Sequence, residues 1–401
     1  MKNLLKKLKI KRRGISFLAG MHFFGNPSAK LKIVGVTGTN GKTTTATLLY
    51  KITMALGHKA GLISTVENII NEEVINTSEG RPIPGTTPDP IALHKLLNKM
   101  VEKGCEYVFM EVSSHALDQS RVAGINFSGG IFTNLTHDHL DYHQNFDNYF
   151  GAKKKFFKMI PVKAFALSNT DDEYGKKMLV GIQAKKYTYG FKNEADFSEK
   201  LETKLIGDFN VYNVLAVYAS LVLLGMNKEK IKEQLKNVLP PKGRFDYFKS
   251  PSGVTVIVDY AHTPDALQNV LKTVQGIKTH STSRGRVISV FGCGGDRDPL
   301  KRPIMGKIGA MMSDMVIFTS DNPRSEDPEK IIEQMTTNLS EDEFRKVKII
   351  PNRHEAIKEA VKLTQKGDIV LCSGKGHEDY QEIKGVKHHF DDMEELKKAF
   401  S

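Results

Sequence analysis

Residues 34–45 read VGVTGTNGKTTT, and this stretch decides how the first half of the chain is interpreted. An apolar strand, a glycine-containing turn and the start of a helix follow one another, which directs backbone N–H groups and the positive helix end at a phosphate. The Lys42 ammonium can reach the β- and γ-phosphates, and the Thr43 hydroxyl can hold Mg²⁺. The pattern predicts a nucleoside triphosphate site formed by Gly38, Thr39, Asn40, Gly41, Lys42, Thr43 and Thr44.

This loop departs from the common G-x-x-x-x-G-K-[ST] pattern. The first glycine of that pattern stands six residues before the lysine, where this chain has Val36, and the nearest glycine inside the loop is Gly38. A chance Gly/Thr turn would not explain the strand and helix that flank it. By itself, the loop indicates a nucleotide enzyme but not its reaction.

Composition describes an ordinary globular protein with room for two or three domains. Of the 401 residues, 40% are hydrophobic and 26% are charged. The three cysteines are far apart, so neither a disulfide framework nor a CxxC metal pair follows, and a reducing, cytoplasmic location is expected. No apolar run approaches the roughly 18 residues that a membrane span requires.

The net charge is +12, and part of it lies at the start of the chain, where MKNLLKKLKIKRRG has seven Lys/Arg in its first 13 residues. Three interpretations compete: the n-region of a signal peptide, a patch for nucleic acid or an anionic membrane, and a solvated helix face. The following apolar stretch is short and contains His22, so the solvated helix is favoured. The remaining positive charge is spread along the chain and suits anionic ligands.

Alternating strands and helices predict an α/β fold with two sheet domains. The strands expected in the first are KIVGVTG (32–38), KAGLIST (59–65), EYVFMEVS (106–113), SGGIFTN (128–134) and KAFALSN (163–169). Its helices include KTTTATLLYKITMAL (42–56), IALHKLLNKMVEK (91–103) and GDFNVYNVLAVYASLVLLG (207–225). The strands of the second are VTVIVDY (254–260), RVISVFG (286–292), DMVIFTS (314–320), KVKII (346–350) and DIVLCS (368–373). The Pro/Gly/Lys-rich segment 236–245 predicts the boundary, giving a leader (1–30), a central P-loop ATPase-type domain (31–242) and a C-terminal Rossmann-like domain (243–401).

Polar clusters follow several predicted strands, where α/β proteins bind ligands. They are TTP (86–88), MEVSSHALDQSR (110–121), NLTHDHLDYH (134–143) and GAKKKFF (151–157). Glu111 and His139 are plausible hard-metal ligands beside Thr43. The histidine-rich segment could also be a polar loop or a transition-metal site. The lack of cysteines near it and the presence of a P-loop on the same chain favour Mg²⁺ instead.

With these residues the chain resembles the Mur ligases, from about residue 18 to its end. The shared motifs, in family order, are TGTNGKTTT, TTPDP, EVSSHALDQSR, DHLDYH, GAK, GDFNVYN, GRFD, DYAHTPDAL, FGCGGDRD, KRP, DNPR and GKGHEDYQ. Mur ligases also have the offset glycine. The resemblance therefore implies an ATP-dependent amide ligase and not a motor or a GTPase.

Within the family, the chain resembles the diaminopimelate-adding branch most strongly. It implies addition of meso-diaminopimelate to the D-Glu γ-carboxylate of UDP-N-acetylmuramoyl-L-alanyl-D-glutamate through an acyl phosphate, a cytoplasmic step of peptidoglycan synthesis that supports cell shape and division. Small-molecule substrates, no nucleic acid and a monomer are expected. The basic leader could contact an anionic membrane weakly.

The resemblance also assigns metal ligands. Thr43 and Glu111 would hold one Mg²⁺ and His139 a second, while Lys42 would stabilise the transferring phosphoryl group. Lys153, 14 residues after His139, matches a lysine that CO₂ carbamylates in the family, which turns an amine into an oxygen ligand. Carbamylation needs a neutral amine, which burial near cations can provide. The alternative is that Lys153–Lys155 form a solvated basic face, an interpretation preferred for Lys154 and Lys155.

Further contacts follow residue by residue from the family motifs. ATP would meet Asn210 and Asn213, and also Arg244 and His262, which could reach it only when the domains close. The dipeptide end of the acceptor would be held by Thr86, Thr87, Ser113, Gln119 and Arg121. The incoming amino acid would be bound by Arg297, Asp321, Asn322, Pro323, Arg324, Gly374 and Glu378.

The arginine of DNPR, Arg324, distinguishes the two candidate amine substrates, meso-diaminopimelate and L-lysine. Arg324 offers a planar fork for a carboxylate, and Glu378 could accept from the ammonium beside it. Meso-diaminopimelate has both groups at its distal end, whereas L-lysine has only the ammonium. DNPR as a mere turn would explain Pro323 but not the whole set.

Several alternatives stay open at this point. They are the same chemistry with L-lysine or a non-UDP acceptor, a folylpolyglutamate- or cyanophycin-type ligase, a nucleic-acid ATPase and a catalytically silent binding protein. Family members normally have a separate N-terminal domain that grips the uridine nucleotide. The resemblance implies that residues 1–30 are only a remnant of it, so the uridine should contribute little to binding.

Overall fold

The computed structural model describes residues 24–75, 86–280 and 285–401. The predictions for residues 1–23, including the basic helix, lie outside the described residues. The chain divides into two compact units, the first comprising residues up to Thr136 with His143–Leu205 and Phe209–Leu239. The second comprises His137–Tyr142, Ile206–Asp208 and Pro240–Ser401.

The first unit is built on an eight-stranded sheet in the order β4-β3-β2-β5-β1-β6-β7-β8. Its strands are β1 (Lys32–Thr37), β2 (Ala60–Ile63), β3 (Asn68–Ile70), β4 (Glu73–Val74), β5 (Tyr107–Glu111), β6 (Phe127–Phe132), β7 (Phe165–Asn169) and β8 (Lys185–Tyr189). The six strands from β2 to β8 in this order run parallel, and β3 and β4 continue one edge antiparallel. The central strand β1 is buried from Ile33 onward, as expected for a parallel strand covered on both faces.

Helices surround this sheet. A short 3₁₀ helix (Pro27–Lys30) comes first, followed by α1 (Lys42–Ala55), α2 (Pro90–Glu102), α3 (Ser114–Asp118), α4 (Leu140–His143), α5 (Phe146–Met159), α6 (Gly175–Leu179), α7 (Asp208–Leu223) and α8 (Lys228–Leu235). Leu48 of α1 and Leu215 of α7 belong to one buried cluster that also contains Val34 and Val36 of β1. This shared core fixes the helix that follows the nucleotide loop against the strand that precedes it.

The second unit contains a six-stranded sheet in the order β13-β12-β11-β14-β10-β9. Its strands are β9 (Asp246–Lys249), β10 (Thr255–Asp259), β11 (Val287–Phe291), β12 (Met315–Phe318), β13 (Val347–Ile349) and β14 (Ile369–Ser373). All are parallel except β9, and a separate hairpin pairs β15 (Tyr380–Ile383) with β16 (Val386–His389). The helices are α9 (Pro264–His280), α10 (Lys301–Met312), α11 (Pro328–Thr336), α12 (Glu341–Phe344), α13 (Arg353–Lys362) and α14 (Asp392–Phe400).

The α/β prediction is confirmed, and each strand and helix predicted within the described residues appears within a few residues of its expected bounds. The antiparallel additions β3, β4, β9, β15 and β16 were not predicted, nor was the parallel edge strand β8. These strands have two to five residues, and several are largely exposed, so they lack the apolar runs that mark the parallel strands. No helix in the described part of the chain is long and apolar enough to cross a membrane.

Candidate active site

The register of the first sheet places three loop starts side by side. Val36 of β1 pairs with Glu111 of β5, and Thr37 pairs with Phe132 of β6. Because these strands are parallel, the segments that follow them leave the sheet at the same edge. The nucleotide loop therefore lies between the segment after Glu111 and the segment after Phe132.

Two glycines allow this loop to approach its neighbours closely. A Cβ on Gly38 would lie 1.8 Å from Thr133 Oγ1, and a Cβ on Gly41 would lie 2.4 Å from Asn213 Oδ1. Gly41 is also the N-cap of α1 and has a φ of +81°, which side-chain-bearing residues rarely adopt. Gly38, the offset glycine of the sequence, is thus required because Thr133, the residue after β6, approaches it closely.

The loop is held by the residues that follow β6. The backbone of Asn134 accepts from Thr39 N (2.9 Å), and its side chain accepts from Asn40 N (2.8 Å). The Thr133 hydroxyl donates to Asn40 O over 2.6 Å. The sequence interpretation did not assign Thr133 and Asn134 to the nucleotide loop, although Asn134 begins the quoted NLTHDHLDYH segment.

Two lysines meet at the carbonyl of Gly38. Lys42 Nζ donates to Gly38 O (2.9 Å) and to Thr39 O (2.6 Å), and Lys153 Nζ donates to Gly38 O over 2.7 Å. Lys153 is 1% exposed and lies over the Tyr149 ring, 4.5 Å from its centroid. Thr43 and Thr44, on the first turn of α1, are also buried.

The neighbours of Lys153 have different surroundings. Lys155 is exposed and pairs with Asp118 at 3.1 Å, whereas Lys154 donates to the backbone of Lys177. The solvated-face interpretation therefore does not describe Lys153. It does describe Lys155.

Glu111 is 1% exposed, and its carboxylate is oriented by Thr65. Thr65 donates to it from its backbone N (2.7 Å) and from its hydroxyl (3.2 Å). The Thr65 hydroxyl also lies 3.1 Å from Thr86 Oγ1. Thr65, which follows β2, was missed because nothing local to it in the sequence marks it as a partner of Glu111.

Four of the five residues predicted to bind the acceptor, Thr87, Ser113, Gln119 and Arg121, form one network around Thr87. The fully buried Thr87 hydroxyl donates to Glu111 O (2.9 Å) and accepts from Ser113 N (3.0 Å). Arg121 donates to Thr87 O and, through Nε and Nη2, to Gln119 Oε1. The structure brings these residues together, with the Thr87 side chain committed to internal contacts. Their contacts with an acceptor stay a prediction.

The predicted metal ligands are divided between the two units. Thr43, Glu111 and Lys153 belong to the first unit, and His139 lies in the 137–142 segment of the second. The His139 side chain is 38% exposed, and its Nε2 lies 3.3 Å from Asp138 Oδ2. No group of three His, Cys, Asp or Glu residues in the described part of the chain is arranged to hold a metal ion. The predicted set depends on a hydroxyl and a modified lysine, so it stays a prediction.

The residues predicted to contact ATP fall into two clusters. In the first unit, the buried Asn213 donates to Asn210 Oδ1 (3.1 Å) and accepts from Thr45 Oγ1 (3.5 Å). In the second, the Arg244 guanidinium lies 4.2 Å from the Tyr260 ring centroid, and the His262 ring lies 4.6 Å from it. The assignment of these residues to ATP stays a prediction from the sequence.

A further cluster gathers most of the residues predicted to bind the amino acid. Asn322 Nδ2 donates to Glu378 Oε2 (2.7 Å), and Asn322 Oδ1 accepts from Glu382 N (2.8 Å). Asp321 is held by a bond from Gln381 Nε2 to its carbonyl oxygen (2.8 Å). Gly374, whose φ is +111°, would place a Cβ 3.6 Å from Asp321 Oδ2.

Arg324 lies at the edge of this cluster. Its Nη1 donates to Gly295 O (2.7 Å), and its Nε lies 3.5 Å from Glu382 Oε2. Arg324 has a φ of +51°, and its backbone pairs with the β15–β16 hairpin. Pro323 is buried and Arg297 is exposed.

Lys375 also belongs to this cluster, and the sequence interpretation did not single it out, although it stands inside the quoted GKGHE motif. It is 0% exposed, and its Nζ donates to Asn322 Oδ1 over 3.2 Å. Burial, followed by the nearby Asp321 carboxylate, raises the pKa of Glu378, while Lys375 opposes that rise. The motif alone could have indicated Lys375, but only the fold reveals that it is buried.

Comparison with known proteins identifies both halves of the chain. Residues 36–221 match the Mur ligase middle domain, and residues 243–376 match the Mur ligase, glutamate ligase domain. A UDP-N-acetylmuramoyl-L-alanyl-D-glutamate–2,6-diaminopimelate ligase from Bacteroides fragilis is 51% identical over 400 residues, covering 96% of this chain and 81% of that protein. A protein with the same name from Aquifex aeolicus is 45% identical over 394 residues, covering 94% of this chain and 78% of that protein.

Solved structures lead to the same family. A structure of a protein with that name is 32% identical, with a TM-score of 0.63, and covers 98% of this chain and 82% of its own. Folylpolyglutamate synthase from Mycobacterium tuberculosis, at 16% identity and a TM-score of 0.71 over 94% of this chain and 95% of its own, shares the fold alone. The chain therefore belongs to the Mur ligase family, whose members are ATP-dependent, ADP-forming amide ligases.

Proposed function

We propose that this chain adds meso-diaminopimelate to the D-Glu γ-carboxylate of UDP-N-acetylmuramoyl-L-alanyl-D-glutamate, at the expense of ATP. The names of the relatives at about half identity support this assignment. The structural observation that carries it is the network in which Asn322 joins Glu378 and Glu382, while Glu382 lies against Arg324. A cation and a carboxylate in one cluster suit a zwitterionic group. The reaction would belong to peptidoglycan precursor synthesis in the cytoplasm.

A carboxylate does not condense with an amine in water without first acquiring a leaving group. The γ-phosphoryl group of ATP would pass to a γ-carboxylate oxygen, which forms an acyl phosphate and releases ADP. The amine nitrogen would then attack the acyl carbon, lose a proton and expel phosphate. Lys42, at the end of the nucleotide loop, would stabilise negative charge on the transferring phosphoryl group. Positioning of the reactants and this charge neutralisation would supply most of the rate enhancement.

Hard oxygen donors in the first unit fit Mg²⁺, which prefers such ligands. Thr43 stands directly after Lys42, and Glu111 ends the strand beside β1 with its carboxylate oriented by Thr65. These two residues would hold the ion, which when bound would neutralise phosphate charge.

We also propose that Lys153 carries a carbamate. Its amine is buried 2.7 Å from the carbonyl of Gly38 in the nucleotide loop, and exclusion from water favours the neutral amine that adds to CO₂. The carbamate would add a carboxylate-like oxygen ligand at the loop.

A turnover assay with purified protein tests which amine the enzyme uses. With Mg-ATP and the UDP-linked dipeptide, phosphate release should depend on meso-diaminopimelate and hardly on L-lysine. Arg324→Ala should reduce kcat/KM for diaminopimelate by about one to three kcal/mol, as for a lost charged hydrogen bond, while the exposed Arg345→Ala serves as the matched control. Equal rates with the two amines, or release stimulated by nucleic acid instead, would contradict the proposal.

A further inference from the structure

We propose that Lys375 sets the charge of the amino-acid pocket by keeping Glu378 ionised, and that it is thereby a positioning residue for the incoming amine. This inference rests on the function proposed above. It concerns a side chain that would act through its neighbours and not by touching the substrate.

The geometry places one ammonium between two carboxylates. Lys375 Nζ lies 3.5 Å from Glu378 Oε2 and 3.7 Å from Asp321 Oδ1, besides its hydrogen bond to Asn322. Asp321 Oδ1 is buried and accepts no hydrogen bond from the described residues. The neighbouring ammonium therefore balances that oxygen electrostatically.

Counting charges shows what Lys375 contributes. The two carboxylates and one ammonium leave one net negative charge, which matches the ammonium of a zwitterion whose carboxylate faces Arg324. Without Lys375, the buried Asp321 carboxylate and the Glu378 carboxylate, which is 15% exposed, would share the site, and like charges at such range drive one of them to take up a proton. A protonated Glu378 would no longer attract an ammonium.

Other ionisable groups around Glu378 do not replace Lys375. The pKa of Tyr380 is raised to about 12, chiefly by burial and then by Glu378, and that of Tyr260 is raised for the same reasons, so both phenols stay neutral. Other charged groups act on the neighbours of Glu378: Arg244 on Tyr260, Arg324 and Glu382 on Tyr380, and Arg353 on Asp321. Lys375 is the cation whose Nζ lies 3.5 Å from the Glu378 carboxylate.

A packing role alone would not require a lysine here. A buried ammonium costs several kcal/mol unless it is paired, and an apolar side chain would fill the same space without that cost. Lys375 follows Gly374 directly after β14, so its backbone position is already fixed by the sheet. The charge is therefore the property that the site uses.

The test measures kcat/KM for meso-diaminopimelate from pH 6 to pH 9. In Lys375→Met we expect a loss of at least tenfold at pH 7, mainly through KM, and an acid-side midpoint displaced to higher pH by about one unit, since the pKa of Glu378 rises further when its cation is removed. The KM for ATP should not change. Lys366→Met, at an exposed lysine before the same strand, is the matched control and should keep the wild-type profile.

The outcomes separate this inference from the proposed function. If no amine supports turnover in the wild type, the proposed function is wrong. If the wild type uses diaminopimelate but Lys375→Met keeps the wild-type pH profile, Lys375 does not act through charge and the inference is wrong.

A double variant covers the case in which Lys375→Met does not fold. Lys375→Met/Glu378→Gln retains one net negative charge from Asp321, so it should unfold at a temperature closer to the wild type than the single variant does. If the double variant is no more stable than the single one, Lys375 acts by packing and the inference is overturned.

Discussion

At the scale of the residue, burial separates side chains that look equivalent in the sequence. Lys153 and Lys155 stand two positions apart on α5, yet one is fully buried against the nucleotide loop and the other is exposed beside Asp118. An exposed lysine keeps its charge and is seldom needed by the chemistry. The two lysines can therefore be tested against each other.

Lys153→Ala should be nearly inactive and partly rescued by short carboxylic acids, because these can replace the oxygen ligand that a carbamate provides. Lys155→Ala should turn over normally. The direct measurement is the ¹³C NMR spectrum of protein equilibrated with ¹³CO₂, which should show a carbamate signal that Lys153→Ala lacks. Wild-type turnover in Lys153→Ala would rule out the role.

At the scale of the element, the N-terminus of α1 depends on a glycine. Gly41 and Gly57 flank this helix, and both have a positive φ, +81° and +88°. A Cβ on Gly57 would meet nothing within 4 Å, whereas a Cβ on Gly41 would meet Asn213. Substituting each glycine in turn therefore distinguishes the effect of backbone strain, which both share, from the effect of the close approach to Asn213, which only Gly41 makes.

Gly41→Ala should weaken ATP binding at least tenfold, because Asn213 must move and the first-turn amide groups turn with it. Gly57→Ala should cost about one kcal/mol of stability from the left-handed backbone and leave ATP affinity unchanged. Calorimetric titration with ATP measures both. Equal ATP affinities in the two variants would show that the approach to Asn213 is not needed.

A buried ion pair connects elements of the second unit. Arg353, on α13, donates to both carboxylate oxygens of Asp392 on α14 at 2.7 Å, and also to Ser373 O at the end of β14 (2.9 Å). Both side chains are 0% exposed. The pair thus fixes two helices to the strand that precedes Gly374.

Arg353→Met should destabilise the second unit by about three to five kcal/mol, because it leaves the Asp392 carboxylate buried without its partner. Arg353→Met/Asp392→Leu should recover part of this loss. Arg345→Met, from an exposed pair with Asp342, should change stability by less than about one kcal/mol. The chain has no tryptophan, so hydrogen exchange is the suitable measurement. A double variant as unstable as the single one would contradict the explanation.

At the scale of the whole molecule, acid should affect the two units differently. In the first, burial and then the nearby His115 lower the pKa of His143 to about 4, from an ordinary value near 6.5. In the second, burial lowers the pKa of His262 to about 4 but raises that of Asp259 to about 6. In the second unit, protonation of His262 and of Asp259 therefore changes the stability in opposite directions as the pH falls. Of these three groups, His143 is the one in the first unit, so no opposing protonation offsets its effect there.

The first unit should lose stability as the pH falls from about 6.5 to 4. A group whose pKa is lowered by folding contributes stability above its unfolded pKa and loses it as protons bind to the unfolded chain. Hydrogen exchange at several pH values should show this loss in the first unit and a smaller change in the second. His143→Gln, which can still bond to Ser114, should flatten the dependence. An unchanged pH dependence in His143→Gln would assign the loss to other groups.

The sequence by itself determined the parts of this protein that depend on neighbours along the chain. Apolar runs marked the parallel strands, and the order strand, glycine turn, Lys42, helix marked the nucleotide loop. These patterns are local, because strand burial and helix starts depend on a few consecutive residues. Short antiparallel edges such as β3 and β15 lacked such a pattern and were missed.

Only the tertiary structure decided which side chains meet across the sheets. Thr65 orients Glu111 from 46 positions away, Asn134 holds a loop 94 positions before it, and Lys375 reaches Asn322 over 53 positions. Parallel strands become neighbours through crossovers, so their order in a sheet differs from their order in the chain. Burial, which distinguishes Lys153 and Lys375 from the exposed lysines, likewise exists only after both faces of each sheet are covered.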